Sequence, residues 1–244
     1  MKVYPVLFGF IGCLIITGLF WPGMAADNRE TVTCEDGDSF LIKVRGVVET
    51  SNTPYGKGDL IIVDTWKFRL TLYRDGKVFR TYPVAIGESE TPTPIGEWKI
   101  IHKGGNWGGG FGARWLGLNV PWGIYGIHGT NKPGSIGSRA SHGCIRMFNR
   151  NVLELYDLVK LGTPVYIAGN IPKRTPRREY IRKQSGQDIV GIQFRLRDYN
   201  FDPGPADGRF GENMELTVTQ LQRFYGLAVN GKITMNEQYL LKMR

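Results

Sequence analysis

Apolar residues of strand type, continuous at Leu60-Ile61-Ile62-Val63 and alternating at Phe68, Leu70 and Leu72, lead into an Asp75-Gly76 pair. This run constrains the fold more than any other feature of the chain. A period of two puts apolar side chains on one face of an extended backbone, whereas a helix needs a period near 3.6. Asp-Gly is a two-residue turn signal, so residues 78–84 are expected to return as a hairpin partner. Residues 98–101 and 115–120 read as further strands, and 164–168 as the strand that closes the sheet. Residues 104–112 are too rich in glycine for a core element and are expected to form a lid over a cleft. Residues 151–159 show helical periodicity, with Asn149 as the expected cap. Many strands and few helices predict a mainly β domain over residues 58–169.

The residues that carry chemistry concentrate in one stretch. The chain has three His and three Cys, and His128, His142 and Cys144 fall within seventeen residues. A cysteine becomes a catalyst when a base takes its proton and an oxyanion site holds the developing charge. His128 is the candidate base for Cys144. No Asp or Glu stands close by in sequence, so the Gly129 carbonyl is the nearest acceptor for the other imidazole nitrogen. His142, Gly143 and Cys144 form a turn whose consecutive amides suit one oxygen, and Gly143 permits backbone geometry that other residues resist. Zinc is the rival use of two His and a Cys. A structural zinc site wants a fourth ligand, and no CxxC or HxxxH pair supports one. The parts describe acyl transfer through a thioester, with no metal and no organic cofactor.

The order His128-Gly129-Thr130, ten residues, then Ser141-His142-Gly143-Cys144 closely resembles the signature of the L,D-transpeptidase catalytic domain, the YkuD-like family. The words Thr91-Pro92-Thr93-Pro94-Ile95-Gly96, Phe111-Gly112-Ala113-Arg114-Trp115 and Ile127-His128-Gly129-Thr130-Asn131 match as well, and the resemblance covers residues 59–169. It implies an L,D-transpeptidase-like β-sandwich. It implies Cys144 as nucleophile, His128 as base, the Gly129 carbonyl as orienter, and the amides of His142, Gly143 and Cys144 as oxyanion hole. The implied substrate is a peptidoglycan tetrapeptide stem, cut between the L-centre of a diamino acid and a terminal D-alanine. The acyl group would pass to an amine of a neighbouring stem, giving a 3→3 cross-link, and carbapenem-type β-lactams would acylate Cys144. Water as acceptor would give an L,D-carboxypeptidase, and a wall-binding protein that has lost activity is the other alternative. Some branches carry Ser where Gly129 stands, and Asn where Arg146 stands. Arginine offers a planar fork suited to a carboxylate, so Arg146 is expected to contact substrate. Ser141, Tyr125 and Trp115 are candidates for the substrate groove, as is Trp122, with ordinary core packing as the other reading of the aromatic residues.

The last segment, 187–244, differs. Ile192, Leu196, Tyr199 and Phe201 lead into Asp202-Pro203-Gly204-Pro205-Ala206-Asp207-Gly208-Arg209-Phe210-Gly211. A helix over 216–224 follows, then Gly226-Leu227-Ala228-Val229-Asn230-Gly231. This resembles the peptidoglycan-binding module found beside wall enzymes, a small three-helix unit, and implies docking on wall glycan or stem peptide. Such a module raises local substrate concentration as a tether does. The net charge is +9, and residues 171–184 hold six basic residues against Glu179. Residues 170–186 therefore read as a basic linker, suited to anionic wall polymers or a membrane surface. Nucleic acid is disfavoured by an export signal. Residues 1–26 read as a secretory signal, with Lys2, an apolar run, and small residues before a cleavage point after Ala25. The run is long enough that an uncleaved anchor stays open. The expected location is the cell envelope. Residues 27–57 carry no motif. Cys34 and Cys144 could pair outside the cytosol or stay as free thiols.

Overall fold

The computed structural model describes residues 57–105, 107–172 and 175–243. The expected signal sequence, Cys34, nearly all of the segment 27–57, Lys173 and Arg174 lie outside them. Among the described residues no helix is long and apolar enough to cross a membrane.

The sheet starts at the hairpin. β1 (Asp59–Asp64) pairs antiparallel with β2 (Arg69–Arg74), and β3 (Lys77–Pro83) returns along β2. Asp75 and Gly76 have φ of 50° and 77°, the paired positive values of a type I′ turn, whose twist matches that of the strands. Ile61, Val63, Leu70 and Leu72 are fully buried, as the pattern requires. Phe68, expected in the second strand, sits instead in the β1–β2 turn at φ 49°. There Asp64 accepts the Trp66 and Lys67 amides and shapes the chain reversal.

A short strand, β4 (Ile86–Gly87), precedes β5 (Gly96–Gly105), where the sheet bends. β6 (Arg114–Leu118), β7 (Gly126–His128), β8 (Arg139–Ser141) and β9 (Ile145–Arg146) follow, then α1 (Asn149–Leu158) and β10 (Pro164–Ala168). The first half of β5 pairs with β10 and the second half with β6, with a register slip between Ile100 and His102. An extra residue of this kind bends a strand and deepens its twist. The eight-stranded sheet, ordered β3-β2-β1-β10-β5-β6-β7-β9, curls around one core, and β4 and β8 form a small parallel ladder. Leu116, Leu118, Ile127 and Ile145 meet Ile61, Val63, Leu70 and Leu72 in that core, and Val152 and Leu155 of α1 join them. The domain is mainly β, as expected. Its sandwich is one curled sheet whose two halves share β5.

The C-terminal lobe has α2 (Gln187–Asp198), α3 (Glu212–Phe224) and α4 (Met235–Leu240) around a second core that includes Ile192, Leu196, Phe210, Met214 and Val218. The expected linker is largely part of this lobe. Tyr180 is fully buried and bridges to Ile233, and Arg177 forks onto Asp188 at 2.8 and 3.2 Å. Arg182 reaches Glu212 and Glu215. These cations face carboxylates of their own lobe. The tether expectation is corrected as well. The Gln187 side chain bonds both backbone groups of Ile95, at 3.0 and 2.9 Å. Arg197 holds Glu97 through two bonds of 2.6 and 2.8 Å, and the Ala206 amide donates to the same carboxylate. The lobe is packed onto β5.

Candidate active site

His128 closes β7, flanked across the ladders by Trp115 of β6 and Arg146 of β9. Its ring stacks on Trp115 (5.6 Å, 25°) and meets the edge of Phe111 at 5.2 Å. Trp107 stacks in turn on Trp115 at 5.3 Å, and His102 lies 5.7 Å from Trp107. The expected lid divides accordingly. Gly104 and Gly105 end β5, while Trp107 and Phe111 bring aromatic cover to His128 and Trp115. Trp115 is only 3% exposed, so its expected place in the substrate groove is corrected: on the face of β6 opposite Leu116 and Leu118, it is covered by Trp107 and Phe111 and supports the imidazole there.

The Nδ1 atom of His128 lies 2.5 Å from the Gly129 carbonyl oxygen. A proton shared with a carbonyl belongs to the nitrogen, which leaves Nε2 as the basic atom. Burial holds the His128 pKa below the ordinary imidazole value, and Arg146 adds to the lowering, against the hydrogen bond to the Gly129 carbonyl and a smaller backbone influence of Phe111. The peptide after His128 is fixed by the Gly129 amide donating to Arg114 (3.1 Å) and by the Met147 amide donating to the His128 carbonyl (2.8 Å). Asn149 does not cap α1. It is the helix's first residue, and its Oδ1 accepts the Ala113 and Thr130 amides at 3.0 and 3.2 Å. A Cβ on Gly129 would run into that Oδ1 and meet the Ala113 nitrogen at 2.8 Å. Asn149 therefore requires glycine at 129.

The turn between β8 and β9 presents Cys144. Ser141, expected to contact substrate, is buried, and its hydroxyl donates to the Cys144 carbonyl (2.5 Å) while accepting the Gly143 amide (3.2 Å). It ties the turn from within. The oxyanion expectation narrows for the same reason: the Gly143 amide is engaged. Among the described residues the amides of His142 and Cys144 have no protein acceptor. Gly143 has φ 109°, and a Cβ there would meet the Tyr125 ring at 2.7 Å. Tyr125 thus packs against the turn, while the His142 side chain is exposed. Cys144 is a free, half-buried thiol whose Sγ lies 3.9 Å from the Ile124 carbonyl. Burial pushes its pKa up, against a Gly126 backbone hydrogen bond and the Arg146 charge. Arg146 has one guanidinium nitrogen on the Ala140 carbonyl at 2.7 Å. That arm is committed within the chain rather than to an incoming carboxylate. Both shifts favour the uncharged forms, the thiol of Cys144 and the neutral imidazole of His128. Asn149 and Phe111 are the contributors that sequence reasoning assigned no role at the site. Phe111 lay inside a family word, and Asn149 was read as a cap.

A family model for the L,D-transpeptidase catalytic domain matches residues 58–167, and one for a peptidoglycan-binding domain matches 185–238. YkuD of Bacillus subtilis, named as an L,D-transpeptidase, is 45% identical over 126 residues, which are 52% of this chain and 73% of that one. YqjB of the same organism, named likewise, is 33% identical over 144 residues, covering 53% of this chain and 82% of its own. The catalytic domain of the E. faecium L,D-transpeptidase is 28% identical, with a TM-score of 0.41, over 46% of this chain and 97% of that one.

Proposed function

The chain belongs to the L,D-transpeptidase family, and from that premise we propose that it is a cysteine acyltransferase acting on peptidoglycan stem peptides in the cell envelope. Nε2 of His128 takes the proton of Cys144. The sulfur attacks the carbonyl of the diamino acid's L-centre, and the oxygen's charge falls to the amides of His142 and Cys144. The C–N bond to D-alanine then breaks, with the proton passing from His128 to the leaving amine. A thioester remains. An amine of a neighbouring stem attacks it, loses its proton to His128, and leaves a 3→3 cross-link with Cys144 restored. The signal-like residues 1–26 support an envelope location.

The observation that carries this function is the orientation of His128. Nδ1 is engaged by the Gly129 carbonyl, and the ring is clasped by Trp115 and Phe111, so the basic nitrogen is fixed without a carboxylate partner. Mass spectrometry of the chain with a disaccharide-tetrapeptide tests the reaction. The expected product is a dimer lacking one D-alanine, absent with Cys144→Ala. A tripeptide alone would move the function to hydrolysis. No product from a folded protein with a titratable Cys144 thiol would refute both.

A further inference from the structure

We infer that an aromatic cluster at the far end of α3 is the surface through which the C-terminal lobe holds peptidoglycan, and that it takes the glycan strand rather than the stem peptide. This rests on the proposed wall function and on the match to a peptidoglycan-binding domain.

Four rings meet there. Phe224 lies 5.0 Å from Tyr225 and 5.8 Å from Phe201, and Tyr225 lies 6.4 Å from Phe201 and 6.5 Å from Tyr199. They form two tiers. Tyr199 and Phe201 pack on the lobe's core, and the Tyr199 hydroxyl donates to the Leu240 carbonyl at 2.7 Å. They support Phe224 and Tyr225, which are 74% and 40% exposed. The core is already filled at the end of α3 by Val218 and Leu221, both fully buried, so folding does not call for Phe224. An exposed aromatic cluster that the core does not need marks a contact surface.

The chemistry selects the occupant. A pyranose presents a face of C–H bonds, which suits the negative face of an aromatic ring, and a rim of hydroxyl and acetamido groups. Asn200 and Asp202, exposed on either side of Phe201, offer polar partners for that rim. The Asp202 side chain is 82% exposed, with Oδ1 accepting the Gly204 amide. The charges at the cluster are paired among themselves and offer an anionic occupant little. Asp202 lies 3.8 Å from Arg197, which Glu97 also holds, Asp198 and Tyr199 face Arg195, whose guanidinium donates to the Leu241 carbonyl, and Arg223 is the cation next to Phe224 in sequence. A stem peptide ending in a carboxylate or an anionic lipid surface finds little to pair with. A second copy of the chain is disfavoured by size. At about 200 Å² per ring, Phe224 and Tyr225 expose together roughly 200 Å², against about 800 Å² per partner in a stable dimer.

The test uses the full chain and two probes: purified sacculi, and the same sacculi stripped of stem peptides by an amidase. Wild type is expected to bind both. Phe224→Ala/Tyr225→Ala is expected to lose at least tenfold in affinity for both, while Leu216→Ala, also an exposed apolar residue of α3, keeps wild-type affinity. Unchanged binding by the double variant would overturn the inference. Loss of wild-type binding on stripping would assign the surface to the stem peptide instead. A wild-type dimer that the double variant turns into a monomer in light scattering would make the cluster a self-contact. Acylation of Cys144 by a carbapenem, followed in the same double variant, should be unchanged. A wild type that binds glycan but is not acylated would count against the acyl-transfer function and leave the glycan surface standing.

Discussion

Gly129→Ser is the substitution that most directly tests how the base is held. Some branches of the family carry serine at this point, so tolerance would be the naive expectation. Here a Cβ at 129 overlaps the Asn149 Oδ1 and approaches the Ala113 nitrogen to 2.8 Å. Making room displaces the amide that accepts from Ala113 and Thr130. Two hydrogen bonds of about 1 kcal/mol each are lost, and crowding of the backbone adds about 1 kcal/mol, giving about 3 kcal/mol in all. Asn149→Ala alone removes the same two bonds and should cost about 2 kcal/mol. If the two substitutions act through one contact, the double variant costs about 3 kcal/mol rather than about 5, a coupling of about 2 kcal/mol. Urea denaturation of the four proteins at unchanged m-value measures this. Additive costs, within about 0.5 kcal/mol, would refute the role given to Asn149.

The pair of pKa shifts predicts a site that is neutral at rest. Because burial lowers His128, its contribution to stability is present above the ordinary imidazole pKa and is lost as pH falls through the lowered value. Because burial raises Cys144, its contribution is present below the ordinary thiol pKa and is lost as pH rises through the raised value. Urea titrations across pH should lose the alkaline limb in Cys144→Ala, and iodoacetamide should alkylate Cys144 slowly until pH exceeds the ordinary thiol range; fast alkylation in mild acid would mean a preformed ion pair. Gly143→Ala should cost about 1–3 kcal/mol through its φ of 109° and slow carbapenem acylation. Adding Tyr125→Ala should relieve only the ring contact, so full rescue would show that backbone strain is not the cause. Glu97→Ala strips the Ala206 amide of its acceptor and leaves Arg197 with the Gly204 carbonyl and Asp202, and should destabilise the chain by about 2 kcal/mol in urea. A loss below about 1 kcal/mol would mean that the contact contributes little.

The strand-forming residues were legible because burial on one face leaves a period that survives in the sequence: Ile61, Val63, Leu70 and Leu72 are where alternation put them. Phe68 was misplaced because alternation is blind to a left-handed turn residue. At the site, the contact of His128 with the Gly129 carbonyl was legible through the lack of a nearby carboxylate. What spacing does not carry is which groups are already spoken for. Ser141 occupies the Gly143 amide, Trp115 is covered by Trp107 and Phe111, and the Arg146 guanidinium is partly committed to Ala140. Each depends on a neighbour in space rather than in sequence. Asn149 has a polar side chain just before a helical run, which suits a cap, and only the approach of Gly112, Gly129 and Ala113 redirects it.

The packing of the C-terminal lobe changes how it can serve the catalytic one. A module on a flexible linker works by effective concentration and leaves orientation to chance. Here the loop joining β6 to β7, residues 119–125, is held on the lobe's side by the Arg209 guanidinium on the Asn119 carbonyl (2.9 Å) and by Trp122 pressed against Gly208. The same loop carries Tyr125 to Gly143 and the Ile124 carbonyl to Cys144. A Cβ on Gly208 would strike the Trp122 ring, so the fit leaves no slack. The lobe and the loop beside the thiol are thus held together, and alignment of a reacting pair is worth more than concentration alone. The loop also makes the two functions separable by experiment. Substitutions at Phe224 and Tyr225 act on holding the wall, whereas Trp122→Ala should slow acylation of Cys144 by a small soluble carbapenem, a reagent that needs no wall contact. Unchanged acylation in a folded Trp122→Ala protein would show that the nucleophile turn holds its shape without the lobe.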